Sequence, residues 1–185
     1  GPTPKPKGTE VLVSVSHCGV CHSDLHIQDG FFSLGHTRKL DVSGGRDLPF
    51  TLGHEIQGEV AALGPQSKGV KVGEKCVVFP WIGCGECAEC ECGQENLCGS
   101  NQNIGTRKDG GFSDYVLVPN SKYILNSNGL TDGMAGTYMC SGLTAYSALK
   151  KVGPLAGKNQ ILILGLGGVG FMGLNIARTL FGDKV

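Results

Sequence analysis

No run of about 18 apolar residues, the length of a helix that spans a bilayer, occurs in this chain. Its opening residues, GPTPKPKGTE, contain no apolar leader core. Net charge is absent as well: 16 Lys and Arg offset 16 Asp and Glu, with no basic run among them. Non-specific binding to nucleic acid or another polyanion depends on clustered Lys and Arg, so such partners are not expected, and neither is a membrane span. Internal repeats are lacking, which excludes solenoids and propellers. Glycine and cysteine, by contrast, are abundant. The 31 glycines are too many for a helical bundle and suit turn-rich β structure with a glycine-dependent ligand loop. The 9 cysteines, with no leader to suggest export, point to thiolates on metal in a reducing compartment, and hence to a cytoplasmic protein.

Hydrophobic patterning divides the chain. EVLVSVS (10–16) alternates, with Val11, Val13 and Val15 on one face of a strand. Further strands are expected at 55–63, 75–79, 113–118 and 123–125, and the chain reads as all-β to about residue 138. Helical spacing then takes over at 141–154 through Leu143, Tyr146 and Leu149, with Gly153 and Pro154 as the stop. QILIL (160–164) has the continuous apolar character of a strand buried on both faces. A second helix follows, with Val169, Met172, Ile176 and Leu180 on one face. The expected organisation is therefore a β-rich domain over 1–140, then the first βα unit of a parallel sheet over 141–185. One such unit does not complete a doubly wound sheet, so the chain reads as a piece of a longer protein.

The stretch GCGECAECECGQENLC (83–98) holds five cysteines. Cys84, Cys87 and Cys90 keep a two-residue rhythm and Cys98 follows, whereas Cys92 breaks the rhythm and is taken as the spare. Four thiolates saturate a tetrahedral Zn²⁺ and leave no position for a reactant, so an ion held here stabilises a lobe over 83–99 and catalyses nothing. An iron–sulfur cluster is the alternative occupant. Elsewhere, CHSDLH (21–26), GHE (53–55) and MCSG (139–142) offer Cys21, His22, Ser23, Asp24, His26, His54, Glu55 and Cys140. One Cys, one His and one Cys could form a three-donor site with a vacancy, as a catalytic zinc requires. Isolated residues of these types also serve as ordinary packing.

GLGGVG (165–170) follows the apolar run and opens the last helical pattern, the context in which such a loop binds a dinucleotide. Gly165 would make the tight turn, Gly167 would admit the pyrophosphate, and Gly170 would allow close helix packing, with Gly168 completing the motif. The acidic residue that separates NAD from NADP is expected about 20 residues beyond the loop. Asp183 comes too early for that role.

In the order CGVCHSDLH, LGHEIQGEV, CGECAEC, GGFSDYVLV, CSGLTAYSAL and GLGGVG, the chain resembles the zinc-dependent medium-chain alcohol dehydrogenases. The resemblance implies a GroES-like catalytic domain followed by a Rossmann-type cofactor domain. It further implies two zinc ions per chain, one on Cys21, His54 and Cys140 and one on Cys84, Cys87, Cys90 and Cys98. Asp24 would support His54, and Glu55 would lie behind the metal. Ser23 and His26 would relay the proton, His22 would meet the cofactor pyrophosphate, and Thr144 would pack behind the nicotinamide. The implied reaction is oxidation of a primary or secondary alcohol by NAD, with NADP as the other candidate, in a parent homodimer or homotetramer. The rival readings are a zinc-stabilised binding module without catalysis and an inactive piece of the enzyme. Residues 29–48 form a longer stretch than compact relatives carry, with Phe31 and Phe32 placed to narrow a pocket, or else a solvated insertion. Trp81 or Phe79 is the candidate for the pocket wall, while Cys18, Cys76, His17 and His36 read as packing or surface residues.

Overall fold

The computed structural model describes residues 2–156 and 160–182. Its centre is a five-stranded antiparallel sheet in the order β6-β1-β4-β5-β7. The strands are β1 (Val11–Gly19), β4 (Glu55–Leu63), β5 (Lys75–Val78), β6 (Tyr115–Val118) and β7 (Ile124–Asn126). A separate hairpin pairs β2 (Phe31–Ser33) with β3 (Lys39–Asp41). Among the described residues there are also four α-helices, α1 (His22–Asp29), the single turn α2 (Ala88–Glu91), α3 (Ser141–Ala156) and α4 (Gly168–Phe181), and three short 3-10 turns.

The alternation read in β1 places Val11 and Val13 at full burial, opposite Leu63 and Val60 of β4. Ile56, Val78, Val116 and Val118 complete this core, with Ile104 contributed by a loop. Each such side chain gains about 1.5–3 kcal/mol by leaving water. The β1–β4 register shifts between Leu12 and Val13 and again between Val15 and His17. The second irregularity re-aims the end of β1 just before α1, as bulges do beside functional sites.

Three expectations change. The β-rich half is not all strand, because α1 occupies 22–29. Its sequence carries a local start signal, Cys21-x-x-Asp24, in which the Asp24 carboxylate accepts the Cys21 N–H at 2.9 Å, half of a capping box. The helix from Ser141 does not stop at Gly153 and Pro154 but runs to Ala156. Finally, 160–164 joins no ladder among the described residues, and Leu162 and Leu164 are 81% and 86% exposed. A parallel strand is stable only between neighbours that satisfy its backbone, and among the described residues no strand pairs with it.

Helices α3 and α4 instead pack on each other, with Ala145, Leu149, Met172 and Ala177 buried. Of the two faces read from the sequence, Leu143, Tyr146, Val169 and Leu180 remain exposed. Asp183 lies outside the described residues.

Candidate functional site

Asp24 organises the first site. One of its oxygens receives the Cys21 N–H and fixes the start of α1. The other accepts from the Gly53 N–H at 3.2 Å and from His54 Nδ1 at 3.1 Å. A single buried carboxylate thus joins the end of β1 to the entry of β4. Gly53 makes this approach possible: its φ is +98°, and a Cβ there would meet Phe112 at 2.7 Å and the Cys18 sulfur at 2.9 Å. With Nδ1 engaged, His54 Nε2 is buried and has no hydrogen-bond partner. Cys21, His54 and Cys140 each offer one donor atom, all within 4.8 Å of one another, and the two sulfurs stand 3.8 Å apart. Cys140 arrives at the end of a 3-10 turn (Ala135–Met139), immediately before α3.

The electrostatics of this cluster favour a cation. The contact with the Cys140 sulfur, followed by the neighbouring His54 ring, holds the Cys21 thiol well below its ordinary pKa. Cys140, sharing its proton with Cys21 in a buried place, is pushed up correspondingly. Burial alone would keep the His54 ring neutral, but the Asp24 hydrogen bond and the neighbouring Cys21 sulfur outweigh it and raise the ring to about 9. Two sulfurs and an imidazole nitrogen aimed at one point form a donor set that suits zinc. Asp24→Asn should weaken metal retention at this site by roughly 10–100-fold, because the carboxylate on Nδ1 fixes the tautomer and basicity of a ligating His. Competition against a chromogenic chelator measures this, and unchanged retention counts against it.

Glu55 is buried beside this cluster, and burial raises its pKa. Its carboxylate accepts from the Ser141 hydroxyl at 2.8 Å. Ser141 was not foreseen, although it directly follows Cys140. Trp81 lies 5.7 Å from the His54 ring and donates to the Met139 carbonyl at 2.8 Å, so it walls the site. Phe79 turns away and stacks on Tyr123.

The second cluster is Cys84, Cys87, Cys90 and Cys98, whose sulfurs likewise lie within 4.8 Å of one another. Cys87 is 3.5 Å from Cys90 and 3.8 Å from Cys98, sulfur to sulfur. Cys92 is exposed outside the cluster. Glu95 anchors this lobe to the sheet: its carboxylate accepts from the Gly83 N–H at 3.0 Å, from Lys122 at 2.7 Å and from the Tyr123 hydroxyl. Burial opposes its charge, but these three donors prevail and hold its pKa down to about 2.

The remaining residues lie around α1 and the glycine turn. Ser23 lies two residues past Cys21 in the first turn of α1 and contributes to holding the Cys21 thiol low. His26 packs against His22 on one side and Phe32 of the insertion hairpin on the other. Phe31 instead lies beneath the Lys39 ammonium, 3.6 Å from ring centroid to nitrogen. His22 and Thr144 are exposed. Gly165 has a φ of +86°, and a Cβ on Gly170 would lie 1.9 Å from the Gly165 carbonyl oxygen. Gly167 caps α4 with nothing within 4 Å of its Cβ position, and Gly168 begins the helix. The turn thus leaves open backbone before a helix N-terminus, a cradle that fits a phosphate. Of the unassigned residues, Cys76 is in the core, where burial pushes its thiol to about 12, and Cys18 is half-buried with a similar value for the same reason. His17 and His36 are exposed.

Residues 7–128 match the family model described as the alcohol dehydrogenase GroES-like domain. An NAD-dependent alcohol dehydrogenase of Sulfurisphaera tokodaii is 40% identical over 184 residues, 100% of this chain and 52% of that protein. The structure of D-arabinose dehydrogenase from Sulfolobus solfataricus is similar with a TM-score of 0.88 at 30% identity, covering 99% of this chain and 55% of that one. Acetophenone reductase from Geotrichum candidum, solved in complex with NAD, is similar with a TM-score of 0.79 at 34% identity over 98% of this chain and 50% of its own. The chain spans about half the length of the curated relatives it matches. Sheet, cysteine spacing and matched residues agree, and the chain belongs to the alcohol dehydrogenase family with a GroES-like domain.

Proposed function

We propose that this chain supplies the catalytic side of a zinc-dependent alcohol dehydrogenase, transferring a hydride between a primary or secondary alcohol and NAD or NADP. The observation that carries the reading is the convergence of the Cys21 and Cys140 sulfurs on a buried, partnerless His54 Nε2. Three protein donors leave a tetrahedral ion one position for a reactant. Zinc bound there would supply Lewis acidity, making an alcohol hydroxyl more acidic as it does water. A nicotinamide cofactor on the Gly165–Gly170 turn would supply the hydride acceptor, its phosphates met by the start of α4.

The chain's own groups then divide the work. Asp24 keeps Nδ1 of His54 occupied, so that Nε2 is the basic nitrogen turned toward the sulfurs. Ser23 lies next to Cys21 and takes the proton that leaves the alcohol. His26 is three residues further along α1, hence on the same face, and passes that proton outward. His22 is placed for the cofactor pyrophosphate, Thr144 for the back of its nicotinamide, and Glu55 for tuning the charge behind the metal. Trp81 shields the site from water on the His54 side. In this reading the Cys84, Cys87, Cys90 and Cys98 cluster holds a second zinc that is structural, because its four sulfurs leave no place for substrate.

Zinc counting with X-ray absorption tests the assignment. Two ions per chain are expected, one in a shell of four sulfurs and one in a shell of two sulfurs with nitrogen. A single ion in a four-sulfur shell would identify a zinc-stabilised binding module instead.

A further inference from the structure

Helix α1 carries a second pair of metal-binding groups to which the reading above gives no metal. His22 and His26 are four residues apart and therefore share a helix face. Their ring centroids are 4.7 Å apart, with planes inclined by 43°. His22 is exposed and His26 half-buried. Among the described residues the histidine side chains engaged in hydrogen bonds are those of His17 and His54. The ring nitrogens of His22 and His26 are thus left for outside partners.

We infer that His22 and His26 form a chelating site for a borderline divalent transition ion such as Zn²⁺ or Ni²⁺. Imidazole binds zinc at about 2.0–2.1 Å, which sets two nitrogens on one ion roughly 3 Å apart. The observed ring spacing reaches that separation by side-chain rotation, with the backbone unmoved. The backbone between the two residues is held at both ends. Asp24 fixes the first turn through the Cys21 N–H, and Gly30, with φ of +81°, closes the last by donating its N–H to the His26 and Ile27 carbonyls. The Phe32 ring lies 4.6 Å from the His26 ring and packs against it. Both donors are imidazoles, a type that suits zinc, nickel and copper and not calcium or magnesium. Two protein donors leave the remaining positions to water, so the site binds more weakly than either cysteine cluster and fills after them. If the proton and phosphate roles given above to His26 and His22 hold, an ion here removes both groups from them. That consequence rests on the dehydrogenase reading, whereas the binding itself does not.

The test is a calorimetric titration of zinc-loaded, dialysed protein with Ni²⁺, in parallel with NMR of its ¹⁵N-labelled histidines. One further equivalent is expected, weakened by a factor on the order of a hundred in either His22→Ala or His26→Ala, because each variant loses the chelate. The His22 and His26 resonances should broaden before those of His17 and His36. Zinc content equal to that of the parent shows that the variants keep their fold and cysteine clusters. Equal Ni²⁺ affinity in all three proteins, broadening led by His17 or His36, or no further equivalent bound would overturn the site.

Discussion

On the zinc-dehydrogenase reading, His54→Ala is expected to release one of two zinc ions per chain and, in the full-length parent enzyme, to lower alcohol oxidation by roughly a thousandfold or more, a loss of about 4 kcal/mol of transition-state stabilisation. His54 is 0% exposed, and its ring joins Asp24 on one side to the Cys21 and Cys140 sulfurs on the other. Its removal also strands the Asp24 carboxylate, so part of any loss could come from misfolding. Cys140→Ser separates the two causes: it exchanges a sulfur for an oxygen, leaves the Asp24–His54 pair intact, and should show the same loss of one ion and of activity with little change in unfolding temperature. Two ions and full turnover in Cys140→Ser would remove Cys140 from the site. The same ligands predict the direction of a pH effect. His54 carries its proton up to about 9 without metal, and Cys140 also retains its own. A metal needs both deprotonated. Zinc uptake at this site should therefore release protons below pH 9 and tighten as pH rises toward that value, which calorimetry in buffers of different ionisation enthalpy measures.

Cys98→Ser is expected to open the other lobe. Cys98 is 3% exposed, its sulfur lies 3.8 Å from that of Cys87, and it accepts the Cys84 N–H at 3.3 Å. Structural zinc sites in small domains carry apparent binding energies of about 10–16 kcal/mol at neutral pH. Here the sheet has a core of its own, so the cost should fall mainly on the lobe. A fall in Tm of about 10 °C is expected, corresponding to several kcal/mol for a chain of this size. Amide exchange should accelerate across 83–99, while the Val11, Val60 and Val118 amides stay protected. Cys92→Ser is the internal comparison: Cys92 is exposed outside the cluster, so stability should change by no more than about 0.5 kcal/mol. Equal destabilisation by the two substitutions would show that the cluster is not a metal centre.

Legibility followed the range of the interaction. Strand β4 was read at its observed bounds because a short apolar run set off by the glycine-rich turn 64–73 is a property of neighbouring residues. The departure of Cys92 was legible for the same reason, since ligand spacing within one short lobe is set by a few residues of chain. Helix α1 was missed because its residues were weighed as ligands, although Cys21-x-x-Asp24 carried a capping signal. The exposed run at 160–164 shows the reverse failure: apolar character alone cannot supply the neighbour that a parallel strand needs.

The sequence by itself determined the positions of most sheet strands, the spacing of the four-cysteine lobe and the glycine turn, because strand propensity, ligand spacing and turn chemistry are set by residues near one another in the chain. Only the tertiary structure decided that Cys21, His54 and Cys140 meet, that Asp24 serves both the α1 start and His54, and that Ser141 holds Glu55. These residues come from the start of α1, the entry of β4 and the junction of the Ala135–Met139 turn with α3, and their separation in space is set by sheet register and packing, which no local pattern encodes.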